Sequence, residues 1–428
     1  MRPRATAVPD KSCLSGSENM PSADELDPRR RPSANRIGAA ISMALSTYAR
    51  RSHRKPVPLS EFRDAIALGL PNARFFLSQP AAISIEQEQA LVREAKNLGL
   101  SRGDALPDAQ YLSLSGGGDK GAFGAGLLVG WTAHGGRPNF KLVTGVSTGA
   151  LTAPFAFLGP EYDAALTDVY TNTDPSKVFR KRFLPLAALV QDAMADTSPL
   201  LALISTYINE ELLAKIAAEY GKGRLLLIQT TDLDAGVPVL WNIGAIAASG
   251  HPSAADVICR ILLASASIPG AFPPVLFEVT ANGKSYQEMH VDGGAVSQAF
   301  LIPSSLDVRI AQEKSGFGRK AYDCYIIRNS RLTSDWSDVQ RATLPIAGKA
   351  VAIMINYVGL GDLYRIYLEV QHAGANFNVA YIDDEFQAEH KVEFDQEYMR
   401  ALYRFGYEKA AKGYPWDHSP PGFRAAAR

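Results

Sequence analysis

The sequence predicts an α/β fold, a three-layer sandwich in which helices cover both faces of a central, mostly parallel sheet. Three observations predict it. Tyr111 to Ser115 is a short strand-like run that enters a glycine turn and is followed by a helical segment from Gly121 to His134, stopped by Gly135 and Gly136. Phe140 to Val146 repeats the pattern, a strand leading through Ser147 into another helical run. Arg224 to Thr230 and Tyr322 to Arg328 add two further strands, and strands that alternate with helices close most economically as a parallel sheet covered on both sides.

Taken in order, the first 35 residues are rich in Pro, Ser, Arg and Asp and show no sustained period, so too little apolar surface is at hand to offset the entropy of ordering them. With the basic stretch Arg50 to Lys55 they form an expected mobile extension, residues 1–60. Helical periodicity appears in Leu59 to Leu68 and again in Ile85 to Leu98, before Gly99, which predicts flanking helices over 61–107. The catalytic core is expected over 108–335, with the stretch from Asp163 to Tyr220 largely helical. Beyond it, residues 336–428 are read as helices and a strand pair packed on that core. One helix falls between Val339 and Val358, placed after Pro345 because proline is costly inside a helix. Tyr364 to Val370 and Asn376 to Ile382 read as the strand pair, and Gln396 to Ala411 as the closing helix.

Composition bounds the function without naming it. The chain has 428 residues, enough for a sizeable core, and its 44 basic and 44 acidic side chains give no global electrostatic reason to expect a nucleic-acid partner. Cys13, Cys259 and Cys324 are too few and too far apart for a disulfide framework or a close metal site. No run of eighteen or more continuous apolar residues is present, which predicts a soluble protein. Ile37 to Ala49, a short apolar run behind Arg29, Arg30, Arg31 and Arg36, is internal and reads as an ordinary helix before a targeting segment. Cytoplasm, membrane surface and export are all compatible with these features.

The sharpest motif is Gly145-Val146-Ser147-Thr148-Gly149, lying between an apolar strand and a helix start, the context of a nucleophile elbow. Glycines on both sides permit a tight turn that exposes the serine hydroxyl. A second motif, Ser115-Gly116-Gly117-Gly118-Asp119-Lys120-Gly121, also joins a strand to a helix. Its uncovered backbone N–H groups could face a developing oxyanion. Gly116, Gly118 and Gly121 also satisfy a dinucleotide-binding pattern, but the following strand ends in the serine turn and carries no acidic residue, and Lys120 is followed by glycine, which removes the phosphate-loop reading.

A serine nucleophile needs a proton acceptor. Among seven histidines only His290 lies in a segment suited to catalysis; His134 and His251 are explained by a helix end and a loop. In His290-Val291-Asp292-Gly293-Gly294, His290 and Asp292 share one face of an extended segment, and the glycines allow close backbone approach. Chemistry alone leaves Asp292, His290 and a purely structural turn open, with Asp292 leading.

The ordered set of Gly116 to Gly121, Gly145 to Gly149 and Asp292-Gly293-Gly294 resembles the patatin-like phospholipases over about Tyr111 to Arg328. That resemblance implies a serine-aspartate dyad without a catalytic histidine: Ser147 as nucleophile, Asp292 as its partner, and Gly116, Gly117 and Gly118 as the oxyanion hole. His290 becomes a neighbour. Lys120 departs from the arginine common in the family motif, which keeps the charge and loses the fixed donor fork. Ala264 to Pro274 resembles the family's helix-to-loop segment before the aspartate strand. Ser265 and Ser267 there are expected to cap and pack turns. Asp232 and Asp234 take loop or capping roles in preference to a metal site, and Phe155, Phe157 and Leu158 read first as helix core and second as an acyl-chain wall.

The resulting expectation is a lipid acyl hydrolase that cleaves carboxylic esters of phospholipids or related lipids through an acyl-enzyme, with no metal and no organic cofactor. A serine-histidine esterase using His290 and a non-catalytic nucleotide-binding or interaction domain are the rivals. Its partners are the acyl lipid and, transiently, a membrane surface reached through apolar rims or the basic residues near Arg50 to Lys55.

Overall fold

The computed structural model describes residues 54–181, 193–301, 308–319, 321–333 and 336–423. Nearly all of the expected N-terminal extension, including Ile37 to Ala49 and most of Arg50 to Lys55, lies outside the described residues.

One ten-stranded sheet organises the protein. Its strands are β1 (Ile66–Ala67), β2 (Arg74–Phe76), β3 (Ala109–Leu114), β4 (Leu142–Val146), β5 (Leu225–Asp232), β6 (Val237–Asn242), β7 (Val275–Ala281), β8 (Lys284–Asp292), β9 (Tyr322–Arg328) and β10 (Asn376–Tyr381). The order is β1-β7-β8-β5-β4-β3-β9-β10, with β6 pairing β5 and β2 pairing β6. From β5 through β4, β3 and β9 to β10 every pairing is parallel. Residues buried on both faces explain why: β4 and β5 are buried along their whole length, as the strands of a sheet covered by helices must be.

The remaining strands extend the sheet in antiparallel fashion. The hairpin of β7 and β8 turns on Asn282 and Gly283, both with positive φ, which is the chemistry of a two-residue primed turn. Burial alternates along β7, as expected of an antiparallel strand with one wet face.

The helices used below are α1 (Pro80–Leu98), α2 (Gly121–His134), α3 (Thr148–Leu158), α4 (Asp163–Thr171), α5 (Ser198–Tyr207), α6 (Glu210–Gly221), α7 (Ile243–Ala248), α8 (Ala254–Ser265), α9 (Val308–Ser315), α10 (Thr343–His372) and α11 (Gln396–Ala411). Helix α2 ends on Gly135 in the left-handed conformation, and α11 begins on Asp395, whose carboxylate accepts from Glu397 N at 2.9 Å.

Two expectations about local structure are corrected. Leu59 to Leu68 is not a helix: a single 3-10 turn, Phe62–Asp64, leads into β1. Ala65 and Ala67 are both buried, a period-two pattern, and the edge of β7 offers the ladder that outweighs a ten-residue helix. The flanking segment therefore holds one long helix, α1, which starts earlier than Ile85 because Pro80 suits a first turn. In the C-terminal part the strand pair is one strand, β10. Tyr364 to Val370 belongs to α10, where Leu363, Ile366 and Val370 are buried at the i, i+3, i+7 spacing of a helix face. Pro345 is accommodated in the first turn of α10, where no intrahelical acceptor is lost.

Helix α10 also qualifies the reading of the chain's apolar runs. Among the described residues, Pro345–His372 is long and apolar enough to cross a membrane by length and composition, although Lys349 and Asn356 break its continuity.

Helix α2 is packed against α11 through glycines. A Cβ on Gly126 would lie 2.0 Å from the Tyr403 carbonyl oxygen, one on Gly130 2.2 Å from that of Tyr407, and one on Gly406 2.4 Å from that of Phe123. The two backbones touch, so the start of α2, directly after the glycine loop, cannot shift independently of α11. Helix propensity alone would favour Gly126→Ala by about 1 kcal/mol. The close approach reverses the sign: Gly126→Ala is expected to lower stability by about 1–3 kcal/mol, read as a fall in the urea midpoint.

Candidate active site

Strand order brings the three motifs together. β6 takes one edge of β5, and β4 and β8 follow each other along the other, with Val146 opposite Gln229 and Asp292 opposite Thr230. Ser147, one residue beyond β4, and Asp292, the last of β8, therefore meet end to end along that edge of β5. On the other side of β4, Leu114 pairs with Gly145, so the loop after β3 arrives beside Ser147. This is the carboxyl end of the parallel strands, where open α/β sheets hold their ligands.

Ser147 sits at φ 55 and ψ −125, a backbone conformation that side chains rarely adopt. Its neighbours make the turn feasible. A Cβ on Gly145 would lie 2.6 Å from the Gly149 carbonyl oxygen, and one on Gly149 would lie 2.2 Å from that of Leu114. Both positions have room only for glycine. Ser147 N–H donates to Ser265 Oγ at 3.0 Å, and Ser265 Oγ–H donates to the Gln229 carbonyl at 2.7 Å, so the end of α8 ties the elbow to β5.

Ser147 Oγ donates to Asp292 Oδ2 at 2.7 Å. The other carboxylate oxygen accepts from Gly294 N at 2.7 Å. Asp292 is 5% exposed and Ser147 7%, and burial pushes the Asp292 carboxyl up to about 7 against the opposing pull of the Ser147 and Gly294 bonds. The glycines after Asp292 are needed for proximity, since a Cβ on Gly293 would meet the Gln229 carbonyl oxygen at 2.5 Å and one on Gly294 the Gln298 amide at 2.2 Å.

The glycine loop lies against Ser147: a Cβ on Gly116 would be 3.2 Å from Ser147 Cβ. Gly116 N–H donates to the Gln298 carbonyl at 3.0 Å. Of the three glycines, Gly117 and Gly118 are then those whose N–H groups meet no protein acceptor among the described residues. The first turn of α3 adds further N–H groups and the positive end of a helix dipole beside Ser147.

Several residues outside the motifs hold this loop. Asn329, just past β9, donates from its backbone to Ser115 Oγ at 2.8 Å and from its amide to the Ser115 carbonyl at 2.9 Å, while its Oδ1 accepts from Gly124 N at 3.0 Å. Gln298 bonds the Gly294 carbonyl at 3.0 Å and is itself held through its N–H by Asp362 Oδ2 at 2.6 Å. Buried Asp119 accepts from His390 Nε2 at 2.7 Å and from Phe394 N at 2.9 Å, which fastens the end of the loop to the segment before α11. The Asp119 bond raises the His390 pKa above its ordinary value. Lys120 N–H donates to the Gly117 carbonyl at 3.2 Å. None of Asn329, Gln298, Asp362 or His390 is marked by a local motif. Asn329 alone had a signal, as a polar residue directly after a parallel strand.

His290 is placed elsewhere. It is fully buried; its Nδ1 lies 2.8 Å from Thr230 Oγ1 and its Nε2 3.2 Å from Glu288 Oε2, with Trp241 and Phe277 against the ring. Both ring nitrogens are engaged away from Ser147. Glu288 also pairs with Arg74, and these bonds outweigh burial to hold its carboxyl down at about 2. Asp232, Glu288 and His290 are close enough to share a metal ion, as are Asp119, His390 and Glu393; of these, Asp232, Glu288, His290, Asp119 and His390 already bond protein groups. Asp232 caps its own turn by accepting from Asp234 N at 2.9 Å, and Asp234 pairs with Arg54. Phe155 and Phe157 are core residues, the latter under the Arg224 guanidinium at 4.3 Å. Ser267 bonds back to the Leu263 carbonyl at 2.9 Å, and its own carbonyl accepts from Asp292 N at 2.9 Å.

Residues 112–302 match the family model described as patatin-like phospholipase, so this segment is similar to a family of lipid acyl hydrolases. No curated protein matches the chain. Among the solved structures that do is the crystal structure of VipD from Legionella pneumophila, with 12% identity and a TM-score of 0.32 over 71% of this chain and 66% of that one. The chain thus spans just under two thirds of that protein's length.

The raised Asp292 pKa has a consequence for stability. The folded protein keeps a proton that the unfolded carboxyl, at about 3.9, gives up, so the contribution of this group is full below about pH 4 and is lost as pH rises through about 7. Wild type is therefore expected to lose on the order of 2 kcal/mol more than Asp292→Asn between pH 5 and pH 8 in urea unfolding. Parallel pH profiles for the two proteins would contradict the assignment.

Proposed function

We propose that this protein hydrolyses carboxylic esters of phospholipids or related acyl lipids through a Ser147–Asp292 dyad. The observation that carries the reading is the 2.7 Å hydrogen bond from a serine on a strained elbow to a buried carboxylate, with a glycine loop alongside.

In the reaction, ionised Asp292 accepts the Ser147 proton as Oγ attacks the ester carbonyl carbon. The carbonyl π electrons move onto oxygen, and the oxyanion is met by the N–H groups of the Gly116 to Gly118 loop, Gly117 and Gly118 foremost. Collapse breaks the bond to the leaving alcohol, which takes the proton from Asp292 and leaves an acyl-serine. Water then attacks the acyl-serine, Asp292 receives its proton, and the fatty acid departs as Ser147 recovers the hydrogen. A carboxylate suits this role because its pKa, raised by burial to about 7, lies near that of an effective general base. The lipid would be reached by transient contact with a membrane surface.

Ser147→Ala and Asp292→Asn are each expected to lower kcat on a short-chain ester by about 1,000-fold or more, while His290→Ala, if folded, retains turnover. Survival of hydrolysis in folded Ser147→Ala, or of full turnover in Asp292→Asn, would remove the dyad. Turnover by wild type should rise with pH through an inflection near 7, as Asp292 ionises. Asn329→Ala, which frees the loop without touching substrate, should reduce kcat by about tenfold or more with KM little changed.

A further inference from the structure

One exposed stretch of α10 stands beside the site. From Pro345 to Val358 every residue of α10 is exposed except the half-buried Lys349, Ile355 and Asn356. Ile346 is 51% exposed, Met354 60% and Tyr357 64%. These positions, with Ala352, spread round the axis at 3.6 residues per turn, so the free half of the helix is apolar on more than one side. A helix that is apolar all round is normally enclosed on all sides. A flat protein partner covers one face of such a helix, whereas a lipid bilayer surrounds it.

Charge agrees with an anionic bilayer. Between Val339 and Gly361 there is no acidic residue, and Arg341 and Lys349 are the ionised side chains of that stretch. Arg341, exposed just before the helix, has a stem long enough to keep its head at a headgroup layer while the helix is immersed. Trp336, 90% exposed, stands just before it, a residue type favoured at membrane interfaces. The free part, about 16 residues, is about 24 Å long, comparable with the roughly 30 Å thickness of a bilayer's hydrocarbon core. The second half of α10 does not follow it in, since Leu363, Ile366 and Val370 are packed in the protein core and Asp362, Arg365 and Glu369 are hydrogen-bonded there.

The foot of the free half is joined to the active site. Asn356 Oδ1 accepts from Arg328 at 2.8 Å, a Cβ on Gly359 would lie 3.0 Å from Gln298 Cβ, and Asp362 holds the Gln298 N–H. Gln298 in turn bonds Gly294 and Gly116, beside Asp292 and Ser147. Whatever α10 enters is thereby brought close to Gln298 and the residues it holds beside Ser147.

We propose that residues 343–358 of α10 insert into an anionic lipid surface and hold the Ser147 site beside it. This rests on the reading of the site as one that acts on acyl lipids. The test uses the full chain carrying Ser147→Ala, so that binding is measured without turnover, in flotation with vesicles of phosphatidylcholine and phosphatidylglycerol at three to one. Val351→Asp with Met354→Asp should reduce the vesicle-bound fraction at least tenfold. In the background with Ser147 intact, the same pair should leave hydrolysis of a soluble short-chain ester within twofold of wild type, which shows the fold preserved. Val351→Ala with Met354→Ala, a milder pair, should bind at an intermediate level. Unchanged vesicle binding by the folded aspartate pair overturns the proposal. So does a dimer in sedimentation equilibrium that this pair splits while vesicle binding is unaltered, since a second copy would then be the occupant. Binding by wild type with no ester turnover would instead sink the hydrolase reading and leave the docking element standing.

Discussion

A serine held at φ 55 and ψ −125 is strained on the order of 1–3 kcal/mol, and such a residue persists only where its surroundings leave it no alternative. Here those surroundings are backbone against backbone. Gly145 and Gly149 press α3 onto the ends of β3 and β4 so closely that a methyl group fits at neither position. Ser265 holds the Ser147 N–H from the third element, α8. The hydroxyl is held toward Asp292 by its 2.7 Å hydrogen bond. The dyad distance, the position of the glycine loop and the start of α3 all follow from this one turn.

The carboxylate is governed by the opposite logic. Burial makes its charge costly, while the Ser147 hydroxyl and the Gly294 N–H stabilise that charge, and the balance places its proton affinity near neutrality. Glu288, also buried and only four residues away, is held at the other extreme by Arg74 and His290. The difference lies in the presence of a cation. Among the described residues Asp292 has none to neutralise it, and a buried carboxylate without a cation takes up and releases a proton nearer neutrality.

How much of this was legible in the sequence depends on how local each feature is. The elbow, the glycine loop and the Asp-Gly-Gly turn are contiguous, because each needs glycine where backbones touch, and the structure brings all three together. Helices α2 and α11 carry clear stops and starts in Gly135 and Asp395, and their bounds were readable. The supporting residues were not, since Asn329, Asp362 and His390 are single polar side chains delivered by separate elements from far along the chain. The hairpin of β7 and β8 had a signal in Asn282-Gly283 that the larger pattern obscured. Tyr364 to Val370 failed for a different reason: its alternation fits period two as well as a helix face, and packing against β10 decides between them.

The ties made by Asn329, Asp362 and His390 bear on what counts as one inheritable unit. The segment that carries the family signature, 112–302, contains Ser147, Asp292 and the glycine loop, yet three of the side chains that fix that loop lie beyond its C-terminal limit. Two strands of the parallel sheet, β9 and β10, lie beyond it as well. Ser147 and Asp292 on the one hand, and part of the frame that aims them on the other, thus lie in different parts of the chain. Moving the signature segment alone into another protein would leave behind the side chains that fix its glycine loop, so the unit that keeps this geometry is the longer piece that reaches α11.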